Sequence, residues 1–324
     1  MIIVRSPLRI SIAGGGTDIP SYYKSNGSFF ISAAINKYVY VSVTKPFEKG
    51  IYLKYSKSEK VKAVKFINHN IIREVLKKEK KLNQIEITTL TDIPAKTGLG
   101  SSGSFTTCLI KSLSSYNKKF VDKIELAESA CDIEINKLKL PSGKQDQYIS
   151  VYGGITEFSI NRKGKVSPKS LNLKDEIIDK LEDNLLLYFT GFSRNSSKIL
   201  NEQNKKTIVN DRQIIENLNY VKELAFEIKK SLIVGDLTRF GYLMNDHWKY
   251  KLSRSKNMSN RQINSFYNYA IKNGATGGKL IGAGGGGFLL FYSDSPAKLR
   301  NALKNTKLKE VRFKFDFEGV KQIL

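Results

Sequence analysis

Thr97-Gly98-Leu99-Gly100-Ser101-Ser102-Gly103-Ser104 is the stretch that decides how this chain is read. It follows a strand-like run over 85–93 and Pro94. It leads into Ser101–Tyr116, where Phe105, Leu109, Leu113 and Tyr116 recur on one helical face. Glycines entering a helix let backbone N–H groups converge on an anion with no side chain in the way. The helix start adds unpaired N–H groups and a positive dipole end. Phosphate is the natural occupant of such a loop.

Two further glycine loops flank it in sequence. Gly14-Gly15-Gly16-Thr17-Asp18 comes directly after an N-terminal strand over 2–12, and Gly282-Ala283-Gly284-Gly285-Gly286-Gly287 lies between a helix and a strand. Residues 98–103 and 282–287 both match G-x-G-x-x-G, but neither sits as a dinucleotide fold requires. Pro94-Ala95-Lys96-Thr97 separates Gly98 from its strand. The acidic residues about 20 positions on, Asp122 and Glu125, start an amphipathic helix instead of ending a strand. The third loop runs into a strand, the reverse order. With no G-x-x-x-x-G-K-[ST] either, dehydrogenases and Walker-type nucleotide sites are excluded.

Two carboxylates stand out. The helical stripe Ile124, Ala127, Cys131 and Leu138 over 122–138 has Glu134 as its missing member. A carboxylate on a buried face must be paired, protonated or bound to a metal. Ser142 and Gln145 have capping-box spacing, which predicts a helix start that places Asp146 in the first turn beside Lys144.

The rest of the chain interleaves strands and helices. Strands are expected at 29–43, Leu185–Phe189, Phe288–Tyr292 and 311–317, where Val311, Phe313, Phe315 and Phe317 alternate. Helices are expected at 65–81, 199–229, 236–248 and 262–272. With a polar stretch at 161–174 approaching a boundary, the pattern gives a two-domain α+β or mixed α/β protein. The chain has 324 residues, of which 54 are Lys or Arg and 30 Asp or Glu, a net charge of +24. That charge suits nucleic acid, but it is mostly Lys spread along the chain with no nucleic-acid motif, so a solvated surface is preferred. Two His and two Cys (Cys108, Cys131) exclude a zinc cluster and a disulfide framework. No signal peptide or membrane-length apolar run is visible, and a cytoplasmic protein with reduced thiols is expected.

The three loops together, Pro7-Leu8-Arg9 through Asp18, Thr97 through Ser102, and Lys279 through Phe288, resemble the three signature motifs of the GHMP kinases in order and spacing. Within that family, residues 14–18, 143–148, 188–194 and 247–260 are most similar to the bacterial kinases of D-glycero-α-D-manno-heptose 7-phosphate. The resemblance implies a ribosomal-protein-S5-domain-2-like N-terminal domain (1–183) and a ferredoxin-like C-terminal domain (184–324). It implies ATP on Thr97, Gly98, Leu99, Gly100, Ser101, Ser102, Gly103 and Ser104, and Mg²⁺ on Ser102 and Glu134. Asp146 matches the family's catalytic aspartate and Arg9 a basic position that stabilises the transferring charge. Gly15, Gly16, Thr17, Asp18, Lys144, Gly284 and Gly285 are assigned to substrate, with Arg194 and Lys249 gripping a sugar phosphate. His247 and Trp248 are read as packed helix residues. Lys96, where the family carries a small residue, is read as facing solvent. The expected function is phosphorylation of C1 of the heptose phosphate for nucleotide-heptose and surface polysaccharide synthesis. The expected partner is a small sugar phosphate, with neither membrane nor nucleic acid, and a homodimer is left open. The alternatives are a GHMP kinase for another sugar, such as fucose or galactose, and a non-catalytic GHMP-fold protein on nucleic acid.

Overall fold

Two long antiparallel strands, β1 (Ile2–Ala13) and β2 (Ser28–Thr44), form the spine of the larger sheet, paired from Ile2 with Val43 to Ala13 with Ile31. The pairing shifts register at Pro7/Leu8, where proline cannot donate to the ladder. The computed structural model of the chain describes residues 1–78, 84–192, 196–209 and 211–324. β3 (Gly50–Lys54) and β4 (Ser58–Val61) form a hairpin, and β5 (Gln84–Thr91) runs parallel to β3. The far edge of β2 is shared: Val39 to Thr44 pair with β5, and Ser28 to Ala33 pair with β6 (Ile155–Ile160), which carries β7 (Val166–Ser170).

The smaller sheet is antiparallel, in the order β11 (Lys309–Glu310), β8 (Leu185–Phe189), β10 (Phe288–Tyr292), β9 (Gly277–Leu280). β8 and β10 are near-continuous apolar runs buried on both faces, as expected of central strands. The larger sheet is thus drawn from residues before 171, except that β12 (Lys321–Gln322) returns to pair with β1. One apolar core joins the sheets, with Val4 and Ile10 from the first and Leu187 and Leu290 from the second in the same cluster. This α+β, two-domain arrangement agrees with the expected fold class.

Helix Ser101–Tyr116 packs on β1 and β2 through Cys108, Leu109 and Leu113. Helix Arg212–Val234 also lies on β2, burying Val221, Ala225 and Ile228. Among the described residues no helix is long and apolar enough to cross a membrane. Cys108 and Cys131 are buried free thiols.

Four local expectations are corrected. The helix expected at 65–81 is a short turn at Val64–Phe66 followed by helix Asn70–Lys77. Glu59 holds the Asn68 and His69 amides, and the His69 ring caps the second helix through Ile72 N–H. The helix at 122–138 divides into Lys123–Cys131 and a π-helical segment, Asp132–Lys137, and Ile124 at its start is exposed. The 311–317 alternation shrinks to a single antiparallel bridge, Phe315 with Ile35, because the Lys314 and Phe315 amides donate to Asn36 and Glu182 side chains. Ser142 caps nothing; Lys144 occupies the N-cap of helix Gln145–Tyr152 without a side-chain bond.

Candidate active site

The glycine stretches meet around a cleft of about 960 Å³, a size suited to a nucleotide and a small substrate. Gly15, Gly16 and Asp18 line it from the first loop, Gly98, Gly100, Ser101 and Ser102 from the second, and Gly282 with Ala283 from the third. The second and third loops touch backbone to backbone: a Cβ on Gly282 would lie 2.7 Å from the Gly98 Cα, and one on Gly98 2.7 Å from the Ile281 carbonyl. Glycine is required at both contacts, since each also has positive φ.

At the mouth of the second loop, Arg9 reaches from β1 to Asp146. Its Nε and Nη2 donate to Oδ1 at 2.8 and 2.7 Å, and its Nη1 donates to the Gly98 carbonyl at 2.6 Å. A Cβ on Gly100 would fall 3.0 Å from Arg9 and 3.2 Å from the Asp146 carboxyl carbon, so this pair sits against the loop. Arg9 is buried, whereas the Asp146 side chain keeps 30% exposure toward the cleft. The Ser104 amide is the first in this helix to find the Gly100 carbonyl, which leaves the amides of the preceding turn for another acceptor.

Ser102 Oγ donates to Glu134 Oε2 at 2.8 Å across the two helical segments. Glu134 is almost fully buried, and its Oε1 has no hydrogen-bond partner. Burial pushes its carboxyl up, reinforced by the nearby Asp146 charge and opposed by Ser102, Thr106 and Gln147. Among the described residues no three His, Cys, Asp or Glu side chains gather to hold a metal. An ion on Glu134 and Ser102 therefore needs ligand or water oxygens to complete its shell, which fits Mg²⁺.

Asp18 lies on the same wall. Its carboxylate accepts the Gly16 amide at 3.2 Å and the Gln145 amide at 3.0 Å. Burial raises its pKa, and Asp146 adds to the rise.

Several expected site residues do not line the cleft. The Thr17 hydroxyl is committed to the Gly14 carbonyl and Ser28, Thr97 Oγ1 to the Pro94 carbonyl, and Ser104 Oγ to the Pro7 carbonyl. Leu99 is core, its carbonyl accepting the Arg9 amide, and Gly103 presses on Asp146. Lys144 is drawn away to Glu128, at 2.7 Å, and to the Gly164 carbonyl. Lys249 is 64% exposed and pairs with Asp246 at 3.1 Å. The Gly285 amide donates to Met258 and a Cβ on Gly284 would strike the Met258 sulfur, so these glycines face Met258. Arg194 lies outside the described residues. Lys96, left-handed and exposed, lines the cleft rim.

Two groups of lining residues escaped the sequence reading. Tyr55, His69, Ile71, Leu90, Pro94 and Phe105 form an apolar end, with the His69 ring edge-on to Tyr55 at 4.8 Å and 5.3 Å from Phe105. At the other end His247, Lys251, Arg254 and Lys279 enter the cleft. Helix Leu237–Leu252 buries Phe240, Met244, His247, Trp248 and Lys251, so its helical period, already visible in the sequence, selects Lys251 over Lys249.

The GHMP kinases N terminal domain model matches residues 64–154, and the GHMP kinases C terminal model matches 228–309. The D-glycero-alpha-D-manno-heptose 7-phosphate kinase of Campylobacter jejuni is 31% identical, over 99% of this chain and 98% of its own. The galactokinase of Pyrococcus furiosus is 22% identical over 90% of this chain and 89% of its own. The crystal structure of a D-glycero-D-manno-heptose 1-phosphate kinase from Bacteroides thetaiotaomicron shares the fold, with a TM-score of 0.83 at 23% identity, covering 100% of this chain and 99% of that one. With both halves matched in order and a relative above 30% identity aligned end to end, the chain belongs to the GHMP kinases and is an ATP-dependent phosphotransferase.

Proposed function

We propose that the chain transfers the terminal phosphoryl group of ATP to the anomeric C1 hydroxyl of D-glycero-D-manno-heptose 7-phosphate, giving the 1,7-bisphosphate used for nucleotide-heptose and surface polysaccharide. The observation that carries the chemistry is the Arg9–Asp146 pair set against the helix-opening loop. The heptose phosphate rests on the Campylobacter relative.

Phosphoryl transfer asks a protein mainly for positioning and charge neutralisation. The adenine is assigned to the apolar end between Tyr55, His69, Leu90 and Phe105. The phosphates are assigned to the amides of Ser101 and Ser102, aimed by the helix dipole. Mg²⁺ is assigned to Glu134 and Ser102, where it neutralises phosphate charge; the unpartnered Glu134 Oε1 is the free ligand atom that supports this. Asp146 accepts the proton of the attacking hydroxyl on Oδ2, the oxygen not engaged by Arg9. Arg9 fixes that carboxylate and faces the charge developing on the transferred group. Asp18, with Gly15 and Gly16, orients the sugar. We place the domain division at 183/184, where the strands of the second sheet begin.

The test is ADP release by purified protein with ATP and Mg²⁺ across heptose 7-phosphate, heptose, fucose, galactose and mevalonate, with Asp146→Asn as the blank. Turnover on heptose 7-phosphate that is lost in the variant is expected. Turnover confined to an unphosphorylated sugar would overturn the substrate.

A further inference from the structure

The substrate end of the cleft gathers more basic side chains than acidic ones. Arg9, His247, Lys251, Arg254 and Lys279 all line it, and each of the last four is at least nine-tenths buried. Of the acidic groups there, Asp146 is engaged by Arg9, and Glu134 lies beside Ser102. Asp18 is left as the carboxylate felt by Arg254. Uncompensated buried cations are costly, and proteins keep them where a ligand brings the counter-charge.

The hydrogen bonds separate anchored donors from free ones. Lys251 Nζ donates to the Leu280 and Gly282 carbonyls, at 2.7 and 2.5 Å, and ties its helix to the third glycine loop. Lys279 Nζ donates to the Ile12 carbonyl at 2.5 Å, leaving two of its three protons. Arg254 Nε donates to Asn217 and Nη1 to the Gly15 carbonyl at 3.1 Å, while Nη2 is buried with no partner. Both ring nitrogens of His247 are likewise buried and unpartnered. His247 and Lys251, four residues apart, share one face of helix Leu237–Leu252, and Arg254 follows just past its C-cap at Ser253. Arg254 is pressed so closely on the first loop that a Cβ on Gly16 would come within 2.6 Å of its Nη1. The free Nη2 of Arg254 therefore lies beside Gly15 and Gly16, the stretch assigned to the sugar.

Burial is the main force on these groups. It lowers Lys279 to about 7, with Arg254 and Arg9 contributing, and lowers Arg254 to about 10 against the pull of Tyr22 and Asp18. Lys251 and His247 are pushed well below their ordinary values, chiefly by burial and then by Lys279 and Arg254. A dianion placed among these groups would restore their protons and fill the vacant donors of Arg254 and His247.

We propose that Arg254, with His247 and Lys279, is the site that grips the non-reacting phosphate of a sugar phosphate substrate, and so sets the preference for a phosphorylated over an unphosphorylated sugar. This rests on the substrate reading above and replaces Lys249 as the grip. The experiment compares kcat/KM for heptose 7-phosphate and for heptose in the wild type, Arg254→Gln and Arg254→Lys. It is paired with melting in inorganic phosphate at saturating ADP and Mg²⁺, so that the nucleotide's own phosphate sites are filled.

Arg254→Gln should raise KM for heptose 7-phosphate about 10- to 100-fold, the worth of a charged hydrogen bond. KM for ATP should change little, and kcat/KM for heptose should fall far less than kcat/KM for heptose 7-phosphate. Arg254→Lys should recover part of the loss, since it keeps the charge without the planar fork. Phosphate should raise the melting temperature of the wild type and not of Arg254→Gln. A purely structural role would lower kcat/KM for both sugars alike, and an unchanged preference in Arg254→Gln would overturn the assignment while leaving the kinase reading intact. If the wild type turns over no phosphorylated sugar, the substrate reading fails, and the anion site stands or falls on the phosphate melting shift alone. Should Arg254→Gln fail to fold, Arg254→Lys and His247→Ala carry the same comparison.

Discussion

Asp18 accepts the backbone amide of Gln145 at 3.0 Å, so a residue of the first glycine loop caps the helix whose next residue is Asp146. The local capping signal at Ser142 is thereby superseded by a cap from 127 residues away in sequence. Substrate wall and proposed base are mechanically one unit.

Asp18→Ala should therefore cost more than a sugar contact. Loss of the cap is worth about 1 kcal/mol of stability, and the uncapped turn lets Asp146 drift. The expected outcome is a lower melting temperature together with reduced kcat. A change in sugar KM alone, with kcat intact, would show that the cap does not position Asp146.

Asp146→Asn keeps the shape and hydrogen-bonding size of the side chain but removes the proton acceptor. We expect kcat to fall about 10²- to 10⁴-fold, with KM for ATP little changed. Arg9→Lys should lower kcat as well, because a single ammonium cannot reproduce the paired bonds to Oδ1 and the bond to Gly98. Steady-state kinetics at saturating ATP reads both.

Glu134→Gln gives opposite signs for stability and activity. The buried carboxylate has an orphan oxygen and a raised pKa, chiefly from burial. Unfolding frees it to ionise normally, so it destabilises the metal-free fold once the pH exceeds its ordinary range. The amide variant should melt higher than wild type at pH 7 without Mg²⁺. It should also lose most activity and the stabilisation that Mg²⁺ with ATP confers. Differential scanning fluorimetry with and without Mg²⁺ and ATP distinguishes this from a merely structural glutamate, which would give a lower melting temperature in both.

Lys279 supplies a pH signature. Its folded pKa is lowered to about 7 from 10.5, by burial and by Arg254 and Arg9, with Lys251 and His247 also close. Between those two values the unfolded chain binds more protons than the folded one, so this group makes stability rise with pH from about 7 upward. Lys279→Met should flatten that rise. An anionic ligand favours the protonated amine, so KM for a sugar phosphate should increase above pH 7 in the wild type. An identical slope in Lys279→Met would assign the effect to another group.

Lys249→Ala should leave both substrate KM values unchanged. Its side chain is exposed and its pairing with Asp246 is a surface ion pair worth little. A raised sugar phosphate KM in this variant would contradict the placement of the grip on Arg254.

The loops were legible in the sequence because glycine clusters report backbone geometry directly, and the strands were legible where burial is regular, as in Leu185–Phe189 and Phe288–Tyr292. Glu134 stood out as a charge on an apolar stripe, and it is buried. What local pattern could not give was the destination of side chains with long-range partners. Lys144 goes to Glu128, Thr17 to Ser28 and Ser104 to Pro7, each bond fixed by tertiary packing. The apolar end of the cleft was invisible for the same reason, since Tyr55 follows β3, His69 precedes a helix, Leu90 is in β5 and Phe105 is in helix Ser101–Tyr116. Arg254 was missed differently: it lies just past a helix end, where periodicity stops being a guide, although Lys251 one turn earlier marked the face.

The contact between Gly98 and Gly282 has a consequence for how the two halves travel in evolution and in motion. Main chain meets main chain there with no room for a methyl group on either side, so neither loop can be remodelled without the other. A chimaera that joins residues 1–183 of this chain to the second half of a relative will work only where both loops keep their path. The same point leaves the loops no room to slide past one another, and the bonds from Lys279 to Ile12 and from Arg254 to Gly15 fasten the sugar wall to the second half as well, so the cleft is pinned at both ends.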